Sequence, residues 1–66
     1  MMKYKSVVRM QGAILDKLKP CVWEKIDNIQ IDVLAPKHSK IFDRAWKELV
    51  INGTVELWGN EIRLNQ

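Results

Sequence analysis

A chain of 66 residues that is 47% hydrophobic and 29% charged has the composition of one small globular domain, residues 1–66, and not of a disordered tail. A chain of this size buries only about 60% of its unfolded surface, which excludes a large active-site cavity. The net charge of +3 is too small to indicate a nucleic-acid partner by itself.

The distribution of apolar residues and of cysteine predicts a cytoplasmic protein. No apolar run approaches the roughly 20 residues of a membrane span, and the start Met-Met-Lys-Tyr-Lys lacks the apolar core of a signal peptide. One cysteine, Cys21, and one histidine, His38, provide neither an internal disulfide nor a metal-ligand cluster. We therefore expect no metal and no cofactor, with Cys21 as a buried apolar residue.

The first predicted element is a helix over residues 5–18. Its apolar residues recur at three- and four-residue spacings, and charged residues take the opposite side. Pro20 disfavours helical geometry at Lys19 and so accounts for the end of the helix. Gln11 falls inside the apolar stripe, which predicts a partly buried amide with a backbone partner. The stripe comprises Tyr4, Val7, Val8, Met10, Ile14, Leu15 and Leu18.

The next segment, residues 21–35, fits both a strand and a helix, because its apolar residues satisfy both spacings. Capping chemistry favours a helix over residues 28–34. Asp27 would accept from the amide three residues on, Gln30 would reach back, and Ile26 and Ile31 would form a hydrophobic staple. Residues 22–24 are predicted to be a brief extended segment that pairs with the edge of a hairpin.

The third predicted helix begins near Pro36 and ends before Gly53. Pro36 suits the first turn, and Gly53 suits the left-handed position just beyond the last turn. Its apolar stripe comprises Ile41, Phe42, Ala45, Trp46, Leu49 and Val50. On the opposite side, flanked by Asp43 and Glu48, lie cations that we call the basic arc: Lys37, Lys40, Arg44 and Lys47. Packing does not require cations there, so the arc is a candidate binding surface.

A β-hairpin closes the chain. Gly59-Asn60 separates two alternating runs, and glycine first in a two-residue loop indicates a type II′ turn. If Trp58 lies opposite Glu61, then Glu56 lies opposite Arg63, and all four aliphatic residues share one face. A slip of one residue would lose both features. The aliphatic residues are Val55, Leu57, Ile62 and Leu64.

These elements make a small α+β domain of three helices followed by a two-stranded hairpin, and their order resembles the winged helix-turn-helix fold of many DNA-binding regulators. The best match is RAWKELVINGTVE, residues 44–56, where family members often read R-A-x-x-x-L-x-x-x-G-x-[VI]-E. The matching positions are Arg44, Ala45, Leu49, Gly53, Val55 and Glu56. The chain differs at the second helix and its turn, where Ile31 and Ala35-Pro36 replace a small residue and a glycine.

The resemblance implies a sequence-specific or architectural protein that binds double-stranded DNA and regulates transcription. The third helix would enter the major groove, where Arg44 or Lys47 addresses a guanine edge, and the short wing would touch the backbone. Such a protein associates with the nucleoid when bound and needs no small-molecule substrate. The expected contact residues are Lys37, His38, Ser39, Lys40, Arg44, Lys47, Asn60 and Arg63.

Simpler interpretations exist for both parts of this surface. Lysine-rich outer faces are common, so the basic arc is alternatively a solvated helix face. Trp58, next to the hairpin tip, is either exposed to a partner or folded over the hairpin. Glu56 and Glu61 repel a phosphate backbone, which makes wing contact weaker than helix contact.

A rival function is protein–protein interaction on the same scaffold, with Trp58 and Ile51 as the partner-binding residues. Ile51, Val22 and Trp23 can make a homodimer surface or be ordinary exposed residues. The rings of Trp23 and Trp46 are assigned to the core.

Two further classes find little support in the sequence. RNA binding would need several exposed aromatic residues for stacking, and only Trp58 is a candidate. Catalysis would need a nucleophile with a histidine and a carboxylate, a glycine-rich phosphate loop or a metal cluster, and none is recognisable. We therefore expect a protein that is not an enzyme.

Overall fold

Three helices and three strands make up the computed structural model, which describes residues 6–65. The strands form one antiparallel sheet in the order β1-β3-β2. The predicted small α+β class with three helices is confirmed, but the predicted two-stranded hairpin is part of a three-stranded sheet. In chain order, the elements are α1 (Val7–Lys17), β1 (Glu24–Lys25), α2 (Ile26–Asp32), α3 (Lys40–Ile51), β2 (Val55–Trp58) and β3 (Glu61–Leu64).

Helix α1 starts at a serine cap. The hydroxyl of Ser6 accepts a hydrogen bond from the amide of Arg9 at 3.2 Å, which satisfies one of the amides that has no partner within the helix. The helix ends at Lys17, close to the predicted end before Pro20. The predicted start at Lys5 and the predicted contribution of Tyr4 to the apolar stripe lie outside the described residues.

One face of α1 packs against α3. Met10 and Ile14 are fully buried on this face, and the side-chain amide of Gln11 donates to the carbonyl of Ala45 in α3 at 3.3 Å. The prediction of a partly buried amide with a backbone partner is therefore confirmed. The assignment of Val8 to the stripe is wrong, since Val8 is 75% exposed. Val8 lies two residues from Met10, which places it about 200° around the helix and away from α3.

Helix α2 starts earlier than its capping pattern indicates. It begins at Ile26, and its N-cap residue, Lys25, makes no side-chain capping bond. The amide of Ile26 instead donates to the carbonyl of Asn60 in the hairpin turn at 2.9 Å. The predicted capping box at Asp27 is wrong, because this bond and the pairing of β1 determine where the helix begins.

Two other residues of α2, Gln30 and Ile31, also lack the capping contacts that the sequence predicted for them. Ile31, expected in a hydrophobic staple, is 69% exposed. The side-chain nitrogen of Gln30 is buried and has no hydrogen-bond partner among the described residues, whereas the capping box required it to reach back to the start of the helix. The helix buries Ile29, with Val33 buried at its C-cap, and this leaves Ile31 on the solvent side.

The end of α2 has leucine where the backbone favours glycine. The amide of Leu34 donates to Ile31 and that of Ala35 donates to Gln30, at 3.0 and 2.9 Å. These two bonds form a Schellman motif, whose residue in the left-handed region is usually glycine. Leu34 takes that position with φ +60°. The chain turns from α2 toward α3 at this strained residue.

Both ends of α3 are fixed by local chemistry. The hydroxyl of Ser39 accepts from the amide of Phe42 at 3.1 Å, so the helix starts after Ser39. The placement of Pro36 in the first turn is wrong, because Pro36 belongs to the preceding turn, where its carbonyl accepts from the amide of Ser39 at 3.0 Å. The serine cap determines the start because its oxygen satisfies a first-turn amide.

The C-terminal end of α3 confirms the predicted role of glycine. Gly53 has φ +81° and lies just beyond the helix. Its amide donates to Val50 at 3.1 Å, and the amide of Thr54 donates to Leu49 at 3.0 Å. This is a second Schellman motif, here with the residue that the left-handed conformation favours.

The hairpin has the predicted register. Trp58 pairs with Glu61, Leu57 with Ile62, Glu56 with Arg63 and Val55 with Leu64. The φ angle is +63° at Gly59 and is not positive at Asn60, as in a type II′ turn. On the apolar face, Val55 and Ile62 are buried, whereas Leu57 remains 40% exposed.

The extended segment predicted at residues 22–24 corresponds to strand β1, which lies slightly later in the chain, at Glu24–Lys25. Strand β1 pairs with β3 by placing Glu24 opposite Ile62 and Lys25 opposite Glu61. The preceding residues instead make a tight turn, in which Lys19 bridges Val22 and Cys21 has φ +64°. The sheet thus has β3 at its centre.

Two residues that the sequence assigned to the core, Cys21 and Trp23, are exposed in the structure. Cys21 is exposed, because it lies at the corner of the turn after Pro20 and not within an element. Trp23 is 37% exposed and covers the polar side of the sheet. Trp46 is partly buried against the core, and its indole nitrogen has no hydrogen-bond partner in the described part of the chain.

We expect Leu34→Gly to raise the free energy of unfolding by roughly 0.5–1 kcal/mol. Leucine in the left-handed region destabilises the folded state by about 1–2 kcal/mol, and glycine removes this strain. Glycine also makes the unfolded chain more flexible, which offsets about 0.5–1 kcal/mol of the gain. Little burial is lost, because 69% of Leu34 is exposed. Urea denaturation measures the change, and Leu34→Ala, which keeps the strain, is the matched control. Equal stability of the two variants would contradict the assignment of strain to this residue.

The reverse substitution at the end of α3 should destabilise the protein. Gly53→Ala places a side chain at φ +81°, where an added Cβ meets no atom within 4 Å. The free energy of unfolding should therefore fall by roughly 0.5–1 kcal/mol because of backbone strain alone. Gly12→Ala is the control, because Gly12 lies inside α1 with equally open space around it. This variant should have a free energy of unfolding higher by up to about 1 kcal/mol, since alanine favours a helix more than glycine does. Urea denaturation giving the same sign for both variants would contradict the prediction.

Candidate nucleic-acid interface

The basic arc lies on the solvent side of α3 because the other side of the helix is in the core. Phe42, Ala45 and Leu49 are at most 3% exposed. Lys40, Arg44 and Lys47 follow one another at spacings of four and three residues, which places them on one face, and all three are exposed. The burial of one stripe therefore presents the cations as a group.

An acidic residue lies within reach of this group. The Nε of Arg44 is 2.6 Å from a carboxylate oxygen of Glu48, one turn later, with side-chain exposures of 72% and 43%. An exposed pair at this spacing contributes only about 0.3–0.5 kcal/mol to stability, so a phosphate can compete for the guanidinium. Glu48 reduces the positive potential of the arc without removing Arg44 from the surface.

Lys47 lies at the border between the arc and the core. Its ammonium nitrogen is 5.6 Å from the centre of the Trp46 ring. This distance is within the range of a cation–π contact, which at an exposed site contributes about 0.5–1 kcal/mol. The contact orients Lys47 along the helix surface but leaves it exposed.

Lys37 and His38 precede α3 and do not belong to it. They occupy the corner of a turn that closes with the bond from the amide of Ser39 to the carbonyl of Pro36. Both side chains are exposed. The turn places them beside the first turn of α3, where amides with no partner within the helix favour an anion.

Ser39 does not belong to the exposed surface. It is 5% exposed, and its hydroxyl oxygen accepts the capping bond from Phe42. The expectation that Ser39 donates to phosphate or base conflicts with this burial. Its role in the structure is to start the helix that presents the basic arc.

Arg63 is held between two neighbours on the polar side of the sheet. Its Nε is 2.6 Å from a carboxylate oxygen of Glu56 on β2, and its guanidinium lies 4.5 Å from the centre of the Trp23 ring on the other side. Its side chain is only 32% exposed. The ring of Trp23 and the carboxylate of Glu56 together leave the guanidinium less accessible than that of Arg44, and they argue against Arg63 as a phosphate contact.

The hairpin tip presents one polar and one aromatic side chain. Asn60 is exposed, and its carbonyl is bonded to the start of α2, so the tip is anchored to the body of the protein. Trp58 is 76% exposed, which agrees with the interpretation that it is available to a partner and not with folding over the hairpin. The tip and α3 are the two surfaces that remain from the predicted set.

Ile51 extends the exposed face of α3 beyond the basic arc. It is 84% exposed and lies one turn after Lys47. One shallow depression is lined by Lys40, Asp43, Arg44, Lys47, Glu48 and Ile51. The outer face of α3 is therefore a continuous surface with a cationic first part and an apolar end.

The row formed by Trp23, Arg63 and Glu56 is the feature that the sequence analysis missed. The Glu56–Arg63 pair was predicted from the hairpin register and is confirmed. Trp23 joins this row because β1 pairs with β3, which places the residue before Glu24 beside Arg63. The extended pattern of residues 22–24 was the available signal, but no local pattern specifies which residues of β3 it faces.

Within residues 6–65 no helix is long and apolar enough to cross a membrane, and no group of three or more metal-binding side chains is present. Comparisons with protein-family models, with curated proteins and with solved structures gave no match.

Proposed function

We propose that this chain is a winged helix-turn-helix protein that binds double-stranded DNA, with α3 in the major groove. The observation that carries the proposal is the exposure of Lys40, Arg44 and Lys47 together on the face of α3 opposite the buried stripe. The proposed role is regulation of transcription or assembly of a recombination or replication complex, in the cytoplasm at the nucleoid. It requires no cofactor and no catalytic group.

The order of elements supports the proposed fold. One helix, one short strand, two helices and two strands follow one another, which is the order on which the resemblance to winged helix-turn-helix proteins rests. The residues of the shared motif have structural roles: Ala45, Leu49 and Val55 are buried, and Gly53 ends the helix. These residues of the motif support the proposed scaffold, whereas the charges of the basic arc support DNA binding.

The proposed contact set is smaller than the sequence alone indicates. Arg44 or Lys47 addresses a base edge while the other meets a phosphate, and Lys37, His38 and Lys40 meet phosphates near the start of α3. Asn60 touches the backbone from the wing. Ser39 and Arg63 are left out, because one is buried and the other is paired with Glu56.

Each phosphate contact has a measurable signature. Neutralising one phosphate contributes about 0.9 to the slope of log K against log salt on duplex DNA. A protein with three or four such contacts should therefore show a slope of roughly −2.7 to −3.6. Glu48, Glu56 and Glu61 act against binding, and the last two place the wing at a disadvantage relative to α3.

Removal of two cations from the arc should weaken DNA binding. We expect Arg44→Ala combined with Lys47→Ala to lower affinity for mixed genomic DNA by at least about tenfold and the magnitude of the salt slope by about 0.9, through the loss of one base contact and one phosphate contact. Gel shift at low and moderate salt measures both quantities. The fold should persist, because both side chains are exposed.

The chain offers a matched control for this experiment. Arg9→Ala combined with Lys17→Ala also removes one arginine and one lysine, both exposed, but from α1. If binding depends on where the charges lie, this variant should bind much more tightly than the α3 variant. Equal losses in the two variants would show that only net charge matters, and unchanged affinity of the α3 variant would reject docking of α3.

Removal of the competing carboxylate should have the opposite effect. Glu48→Gln frees Arg44 from its 2.6 Å ion pair and removes a negative charge beside the arc, so we expect a severalfold higher affinity for DNA. Asp16→Asn, an exposed neutralisation on α1, is the control that changes net charge equally. A gel-shift series in which Glu48→Gln binds no more tightly than Asp16→Asn would contradict competition at Arg44.

A protein-interaction module is the second candidate function. The observation that favours it is the exposure of Ile51 and Trp58, at 84% and 76%, because large exposed apolar residues are common anchors of protein interfaces. The same gel shift separates the two functions. A salt-sensitive shift supports DNA binding, and no shift at micromolar protein supports the second candidate.

A further inference from the structure

The two edges of the sheet differ in how they are protected. Strand β1 has only two residues, and Pro20 bridges Leu64 on the same side of β3. Very short edge strands are one means by which proteins prevent unwanted pairing. Strand β2 forms the opposite edge, has four residues and pairs only with β3 within residues 6–65. The β2 edge is thus the open side of the sheet.

The hairpin register shows which backbone groups face this open side. Trp58 and Glu61 flank the two-residue loop and form a hydrogen-bonded pair, and such pairs alternate along an antiparallel ladder. The amide of Asn65 donates to the carbonyl of Thr54 at 3.0 Å, so these two residues also form a hydrogen-bonded pair, as the alternation from Trp58 and Glu61 requires. The amide and carbonyl of Leu57, in the intervening position, therefore point away from β3 and toward solvent.

The side chains at the open edge do not block pairing. Strand β2 contains no lysine and no proline, the residues that commonly protect an exposed edge. Leu57 is 40% exposed on one face of the sheet, and Trp58 is 76% exposed on the other. The single charge, Glu56, is compensated by Arg63.

We propose that β2 pairs in antiparallel orientation with β2 of a second copy of this chain, with Leu57 opposite Leu57 of that copy. The result is a continuous six-stranded sheet with a two-fold axis at the open edge. A two-fold arrangement uses the same surface on both copies and closes the assembly at a dimer. The inference does not rest on DNA binding.

Charge selects this register over its neighbour. Within β2, only Val55 and Leu57 have outward backbone groups that can form hydrogen-bonded pairs across this edge, so the axis lies at one of them or at Glu56 between them. An axis at Val55 would place Leu57 opposite Gly53, beyond the end of the strand. An axis at Glu56 would place two carboxylates opposite each other in a close pair, which is destabilising. An axis at Leu57 places Glu56 opposite Trp58 of the second copy instead.

The Leu57 register also covers the apolar surface that the single chain exposes. On one face, Leu57, which is 40% exposed in the single chain, meets Leu57 of the second copy. On the other face, Trp58 of the second copy continues the row of Trp23, Arg63 and Glu56. This match between a strand and its own copy is the reason to assign the edge to a second copy and not to a foreign strand.

The contact is small, so the dimer should form reversibly. Two four-residue edges bury less surface than the roughly 1,200–2,000 Å² of a stable interface. We therefore expect a monomer–dimer equilibrium with a dissociation constant below about 1 mM, which sedimentation equilibrium can follow. A chain that keeps its monomer mass of 7.8 kDa up to this concentration would overturn the proposal.

Disulfide trapping tests the register. In a Cys21→Ser background, Leu57→Cys should form the dimer fastest, because the Cα atoms of a hydrogen-bonded pair lie about 5.5 Å apart, within the range of a disulfide. Glu56→Cys would form it fastest if the axis lay at Glu56. Ile51→Cys, at an even more exposed position on α3, measures random collision and contact through α3. Fastest trapping at either of these two positions would overturn the proposal.

A charge at the axis provides an independent test. Leu57→Lys places two ammonium groups opposite each other and should raise the dissociation constant at least about tenfold by sedimentation equilibrium. Ile51→Lys adds the same charge outside the proposed contact and should change the constant much less. Circular dichroism confirms the fold of both variants, and equal effects on dimerisation would count against pairing through β2.

Discussion

The packing of α3 against α1 is the interaction on which the rest of the structure depends. Phe42, Ala45 and Leu49 enter the same core as Met10 and Ile14, and the amide of Gln11 adds a bond between the two helices. Because a helix buries one stripe, its opposite side is presented to solvent. The exposure of the basic arc is therefore a consequence of core packing, and the proposed binding surface exists only while that packing holds.

Local backbone chemistry then determines where the packed helix begins and ends. Ser39 is buried at the start of α3, and Gly53 provides the left-handed residue at its end. The same Schellman geometry ends α2, but with Leu34 in the position that favours glycine. The strained turn is thus the one that ends α2, and a separate turn, closed by the bond from Ser39 to Pro36, carries Lys37 and His38.

The sheet contributes differently to the two proposals. Its centre, β3, holds Arg63 between Trp23 and Glu56, so the most prominent cation of the hairpin is part of the scaffold. The proposed DNA contact is for this reason assigned to α3, with Asn60 as a minor proposed contact. The β2 edge is open, and its exposed apolar residues suit pairing with a second copy. The two proposals use separate parts of the molecule and can fail independently.

Features that depend on neighbours in the chain could be derived from the sequence alone. The hairpin register followed from Gly59-Asn60 and alternation, the end of α3 from Gly53, and the partly buried, backbone-bonded amide of Gln11 from a polar residue within an apolar stripe. Contacts between distant segments decided the rest. The start of α2 depends on a bond to the hairpin turn, and the covering of Arg63 by Trp23 depends on the pairing of β1 with β3. Local patterns specify backbone conformation and the face of an element, whereas the partner of each face is determined only when all elements pack together.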